Sequence, residues 1–209
     1  MYLPAHFAEQ RSDELLRIIT GHPLGMLVTH DADGLDANHL PFEFDPAAAG
    51  HGVLRAHVAR ANTVWQTQRD GNAVMVVFSA QEGYISPNWY PSKHEHHRQV
   101  PTWNYQVVHV HGRLRIVDDE RFVRGLVARL TRTHEADQPR PWKMTDAPAD
   151  FIDQMLQAIV GIEIEIDRIE GKSKLGQHKD ARDRAGTVTG LRERGKTELA
   201  QATEDARKD

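Results

Sequence analysis

The chain has 13 histidines and no cysteine, so metal ligation and nucleophilic chemistry cannot rest on a thiolate. Three histidines fall in HEHH, residues 94–97. A zincin helix would need its second histidine at position 98, where Arg98 stands. A solvated polar loop is the better reading of that stretch. His109 and His111 share one face of a strand and could ligate together, but no third ligand accompanies them in sequence, which favours a polar pocket or an interface. DADG (31–34) opens like a calcium loop without the later ligands and reads as a turn. GKS (171–173) lacks the upstream glycine of a phosphate-binding loop; Ile166 stands there. No Ser lies in a G-x-S-x-G elbow.

Anion binding has a better basis. Arg55 and His57 alternate on one strand face, and the chain then runs ARAN into a helix expected from about Asn62. Cations beside a helix N-terminus make a phosphate site. On the residues alone, ordinary surface charge explains Arg55 and Arg60 equally well, and Trp65 reads as core packing. The stretch YISPNWYPSKHEHHRQVPTWNY (84–105) is the other concentration of chemistry. It holds two of the four Trp and three of the four Tyr. Pro87, Pro91 and Pro101 are expected to stiffen it and to exclude helix from most of its length. Large flat faces with polar tips suit stacking on a planar ligand or a subunit seam. Stacking on nucleic acid, with Lys93 and Arg98 interleaved, carries less weight. A packed Ω-loop is the plain alternative.

These residues need a frame. QRSDELLRIIT (10–20) predicts a short helix with Ser12 as N-cap. GMLVTH, the DADG turn and LDANHLPFEF predict a hairpin, with Pro41 placing its second strand at an edge or bulge. GVLRAHV (52–58) alternates Leu54, Ala56 and Val58 against Val53, Arg55 and His57. NTVWQTQRD (62–70) predicts a helix, and NAVMVVFSA (72–80) a central strand. YQVVHVHGRLRIVDD (105–119) has an apolar face and a cationic one; Asp118 or Asp119 should cap a helix over 120–134. Another helix is expected from Pro148 to Val160, followed by a strand in GIEIEIDRIEG (161–171). About six strands without βαβ alternation predict a mainly β, α+β fold: an antiparallel barrel with flanking helices.

The balance of −4 at pH 7 argues against a broadly basic nucleic-acid surface. No apolar run is long enough to span a membrane, and the N-terminus has no signal-peptide pattern, which suits the cytoplasm. Residues 172–209 carry ten Lys/Arg against seven Asp/Glu. Two regions are expected: a domain over 1–180 and a charged extension over 181–209, a solvent-exposed helix in part or a disordered tail.

YISPNWYPSK, VPTWNY and VHVHG, in that order, resemble the hallmark of the FMN-binding negative transcriptional regulators of the PaiB type. MYLPAHF, HVARAN (57–62), GKSKLGQHK (171–179) and DRAGTVTGL resemble further elements of that family, so the likeness runs along nearly the whole chain. The resemblance implies a split β-barrel of the flavin reductase and pyridoxamine-phosphate oxidase type. It implies a homodimer with FMN at the subunit interface, and a DNA or regulatory-protein partner. The flavin phosphate would then fall to Arg55, His57, Arg60 and Asn62, and Asn38 and His39 would face the ring. Ser86, Trp89, Lys93, Thr102, Trp103 and Asn104 would line the pocket or its dimer wall, with Lys174 and Gln177 closing it. The family usually reads KLSQN where this chain has KLGQH, so Gly176 and His178 remove a hydroxyl and an amide. HEHHRQ replaces what is commonly a shorter stretch with glycine. A flavin-dependent oxidoreductase acting on a small molecule is the alternative. Haem ligation through His109 or His111 ranks below both.

Overall fold

The computed structural model describes residues 1–48 and 50–206. In chain order its elements are β1 (Ala8–Glu9), α1 (Ser12–Gly21), β2 (Leu24–Asp31), β3 (Gly34–Pro41), β4 (Glu43–Asp45), β5 (Val53–Ala59) and α2 (Val64–Thr67). There follow β6 (Ala73–Ile85), α3 (Pro91–His96), β7 (Thr102–Val117), α4 (Glu120–His134), α5 (Ala149–Gln157), β8 (Ile159–Lys174), α6 (Ala181–Glu193) and α7 (Thr197–Asp205). The strands hydrogen-bond in the order β3-β2-β6-β7-β8-β5-β4, with β1 antiparallel on β8. Contacts divide the chain into two compact units. One comprises residues 23–77 and 110–169; the other comprises 1–22, 78–109 and 170–209.

The 23–77/110–169 unit is built on strand alternation. β2 and β3 form the expected hairpin, in register from Leu24 opposite Pro41 to Asp31 opposite Gly34. β5 pairs antiparallel with β8, Leu54 opposite Ile164 and His57 opposite Gly161. Leu54, Ala56, Val58, Leu114, Ile162 and Ile164 are all buried, so the period-two apolar faces do form the core. β3 also approaches β5, so the sheet curls towards closure. Asp119 caps α4 as expected, its Oδ1 accepting from the Phe122 N–H at 2.7 Å. Pro148 is the N-cap of α5.

The 1–22/78–109/170–209 unit departs further from the sequence expectation. Most of the stretch 84–105 is non-helical, as expected; where helix forms, Pro87 and Pro91 each stand in its first turn, a 3-10 turn over Pro87–Trp89 and then α3. Proline's fixed φ suits a first turn, and its missing N–H would have had no partner there. Ser12 is the first residue of α1, whose N-cap is Arg11. The charged C-terminal segment folds into α6 and α7, with Leu199 and Ala200 fully buried in a cluster with Ile85, Tyr90, Leu175 and Leu191. The apolar face of α7 is therefore covered, against the expectation of an exposed helix. Residues 207–209 of the expected tail lie outside the described residues.

Candidate functional site

The residues expected to bind a ligand fall into two sets, one in each unit. In the 23–77/110–169 unit, Arg55 projects from β5 into a chain of ion pairs. Its Nε donates to Glu163 Oε2 at 2.8 Å and its Nη1 to Asp45 Oδ2 at 2.9 Å. Glu163 Oε1 accepts from Arg115 Nη2 at 2.5 Å. Burial raises the Glu163 carboxyl, but the hydrogen bonds from Arg115 and Arg55 outweigh it and hold the group below its usual range.

Arg60 is equally committed. Its Nη1 and Nη2 clasp Asp118 at 2.8 and 2.6 Å, and its Nε donates to the Gln157 carbonyl at 2.7 Å. Its guanidinium also lies 5.6 Å from the Trp65 ring centroid, while the indole N–H donates to the Arg60 carbonyl at 2.9 Å. The helix expected over 62–70 shrinks to the four residues of α2. Too short for a useful dipole, it removes the anion-binding argument made for its N-terminus. Asn62 instead makes a local turn, its Oδ1 accepting from the Val64 N–H at 2.9 Å. Its amide donates to Asn38 Oδ1 at 2.6 Å, and Asn38 donates to Asp36 Oδ2 at 2.9 Å. His57 is half-buried, its Nδ1 enclosed without a hydrogen-bond partner, and burial lowers its pKa. His39 lies exposed on β3.

In the other unit, Ser86 caps the 3-10 turn, its Oγ accepting from the Asn88 N–H at 3.2 Å. Trp89 is half-buried and packs on α6. Its ring fills the space a side chain on Gly190 would need, and its carbonyl abuts Gly186, both on α6. Arg194 covers the same ring at 5.2 Å. Gln177 is spent on its own turn: its Oε1 accepts from the Leu175 N–H at 2.9 Å and its Nε2 donates to the Ser173 carbonyl at 2.6 Å. Lys93 sits within α3, and Asn104 is buried on β7. Lys174 does meet the VPTWNY segment in space: its Nζ donates to Thr102 Oγ1 at 2.5 Å and to the Trp103 carbonyl at 2.6 Å. Burial lowers the Lys174 pKa and neighbouring Lys172 lowers it further, against an opposing pull from Tyr105. The Trp103 ring is 52% exposed and stands edge-on to Tyr84, itself 46% exposed, at 6.3 Å.

Three features escaped the sequence reading. Tyr84 belongs with Trp103. Lys172 Nζ donates to the Tyr2 carbonyl at 3.0 Å and lies 5.5 Å from the Tyr105 ring centroid. The i, i+2 spacing in GKSK was the available signal, because it puts both lysines on one strand face. Asp183 is only 1% exposed and accepts from Ser92 N at 3.1 Å and Ser92 Oγ at 2.6 Å. The departures in KLGQH also have a local reason: Gly176 adopts φ +81, which favours glycine. The His178 ring packs 5.9 Å from His6 and edge-on to Phe7 at 5.5 Å.

An antiparallel sheet curled towards closure, with helices on its flanks, defines a split β-barrel of the flavoprotein type. Among solved structures the chain is similar to the flavocytochrome Anf3 from Azotobacter vinelandii, with TM-score 0.56, 14% identity and coverage of 86% of this chain and 75% of that one. It is similar also to the FAD and heme binding protein from Mycobacterium smegmatis, with TM-score 0.56, 15% identity and coverage of 85% and 78%. At such identity the likeness is one of fold. Residues 1–168 match the family model described as "Putative FMN-binding domain", and the chain belongs to this FMN-binding family. It is 27% identical over 191 residues to protease synthase and sporulation protein PAI 2 of Bacillus subtilis, covering 91% of this chain and 89% of that protein. It is 30% identical over 230 residues to an uncharacterized protein of Emericella nidulans, covering 93% and 92%.

FMN is thus the cofactor, and the two sets fit it unequally. Arg55 and Arg60 fit less well as phosphate ligands in this geometry, because Glu163, Asp45 and Asp118 already neutralise their charges. The Trp103, Tyr84 and Lys174 group fits a flavin better: it offers two exposed aromatic rings, and a partly buried ammonium bonded to the Trp103 main-chain carbonyl.

Proposed function

We propose that the protein is an FMN-dependent negative regulator of transcription, acting in the cytoplasm as a homodimer with FMN at the subunit interface. The match to PAI 2 along nine-tenths of both chains carries this reading. FMN, when bound, supplies the redox chemistry. The chain's own residues supply placement. Trp103 and Tyr84 offer stacking faces, and Lys174, anchored to Thr102, offers a fixed positive charge. Exposed apolar residues support pairing of subunits: Leu35 on the edge strand β3 is 79% exposed, and Val100 and Trp103 are exposed in the other unit. No helix of the described residues is long and apolar enough to cross a membrane.

The alternative is a flavin-dependent oxidoreductase acting on a small molecule without DNA binding. The chain's net charge of −4 favours it, because no broad basic surface is available for phosphates. Two titrations separate the readings. Purified protein should bind FMN with a change in flavin absorbance and fluorescence; a protein that leaves both unchanged ends both readings. The loaded protein should then retard specific DNA with a salt-dependent affinity. Consumption of NAD(P)H with no DNA retarded at any salt would replace the regulator by the enzyme.

A further inference from the structure

Two lysines near the end of β8 are placed as though a third, negative group belonged with them. Lys172 and Lys174 alternate with Ser173, so they share a strand face, while Ser173 Oγ turns the other way to accept from Gln106 at 3.0 Å. Both ammonium groups lie over Tyr105, at 5.5 and 5.9 Å from its ring centroid. Lys172 is only 8% exposed, an unusual state for a lysine. Among the described residues neither ammonium forms an ion pair. Glu170, the next carboxylate along the same face, holds the N-terminal amine of Met1 at 3.4 Å. His178 lies close enough to feel the same field: burial lowers its pKa first, then Lys179, His6 and Lys174 lower it further.

Like charges held together and partly buried are costly unless something compensates them. The ring faces of Tyr105 and Tyr2 offset part of that cost by cation–π attraction. They cannot consume the donors. An ammonium has three N–H groups. Lys172 spends one on the Tyr2 carbonyl. Lys174 spends two, on Thr102 and on the Trp103 carbonyl, and those two bonds fix its direction. Donors remain on both groups. They are donors held over the Tyr105 ring, which suits an oxyanion carried on a small organic molecule.

We propose that Lys172 and Lys174 form an oxyanion-binding site over Tyr105 for a phosphate or carboxylate group. Two sources share this chemistry: the phosphate of FMN, and the acid group of a second small ligand. The site deepens the FMN reading if the first source holds, and stands without it if the second does.

The test is calorimetric titration of the full chain with inorganic phosphate and, separately, with benzoate. Wild-type protein should bind at least one of the two anions saturably. The Lys172→Gln/Lys174→Gln double variant should lose at least ten-fold in affinity, Lys174→Arg should retain most of it, and the exposed-lysine control Lys196→Gln should match wild type. Thermal melts of each variant separate loss of binding from loss of fold. Absence of saturable binding to wild type would overturn the proposal, as would unchanged affinity in a folded double variant. Competition between phosphate and FMN would assign the oxyanion to the flavin; simultaneous binding would assign it to a second ligand. Failure to bind FMN at all would sink the proposed function and leave the phosphate and benzoate result to decide this site on its own.

Discussion

Glycine to alanine inside a helix normally stabilises by ~1 kcal/mol, through propensity alone. Two glycines of α6 should reverse that sign. A Cβ at Gly190 would stand 2.6 Å from both Cγ and Cε2 of Trp89, well inside contact distance. A Cβ at Gly186 would press on the Trp89 carbonyl oxygen, with Trp89 C at 3.1 Å and Pro91 Cδ at 3.3 Å. A ring can tilt; a main-chain carbonyl at the end of a 3-10 turn cannot move without its turn. Overpacking costs ~1–3 kcal/mol, and Gly186→Ala belongs at the upper end. Offsetting the propensity gain leaves a net loss of ~2 kcal/mol, or ~4–8 °C in melting temperature for a chain of this length. Gly190→Ala should cost less, between ~0 and 2 kcal/mol. The mechanism has a further signature. Trp89→Ala removes the ring and keeps the carbonyl. In that background Gly190→Ala should turn stabilising, while Gly186→Ala should stay destabilising. Thermal and urea melts of the five variants and wild type measure both effects. A Gly186→Ala protein that melts at or above wild type would refute the packing argument.

Four other outcomes follow from named contacts. Asp183→Ala should cost ~2–3 kcal/mol, because Ser92 loses a charged acceptor, and should speed amide exchange across α3; unchanged exchange there would count against the tether. Asp119→Ala should cost ~1 kcal/mol in a urea melt by stripping the cap of α4. Trp65→Phe should cost about 1 kcal/mol by leaving the Arg60 carbonyl without its indole donor, again read from urea melts. The Glu163 carboxyl is depressed in the folded state, so its contribution is complete above the unfolded-state pKa and is lost as pH falls through the lower folded value. Wild type should therefore lose stability on the acid side more steeply than Glu163→Gln, and parallel acid limbs in the two proteins would contradict the ion-pair chain.

The sequence made legible what depends on period and local capping. Leu54, Ala56 and Val58 alternate into the core because a half-buried strand allows no other phase. Asp119 could be picked out because a carboxylate before an amphipathic run has few other uses. What stayed hidden depends on residues far apart in the chain. Nothing near Arg55 reveals that Glu163 will neutralise it. Nothing near Trp89 reveals that glycines almost a hundred positions later are shaped around it. The prolines left the short helices of the loop unplaced for a different reason: the residue that breaks a helix interior also starts a helix, and position within the turn decides which. The short α2 was overestimated because Asn62 bonds the backbone locally and α2 ends at Thr67.

The match to the family model ends at residue 168, inside a strand that continues to Lys174. The residues that seat the aromatic loop, Asp183, Gly186 and Gly190, all lie past that point. The stretch most diagnostic of the family is thus held in shape by a segment the family model does not include. Anyone trimming the gene to its recognised domain would keep the signature and remove its mould. The shortened protein would be recognisable by sequence yet lack the residues that seat its aromatic loop.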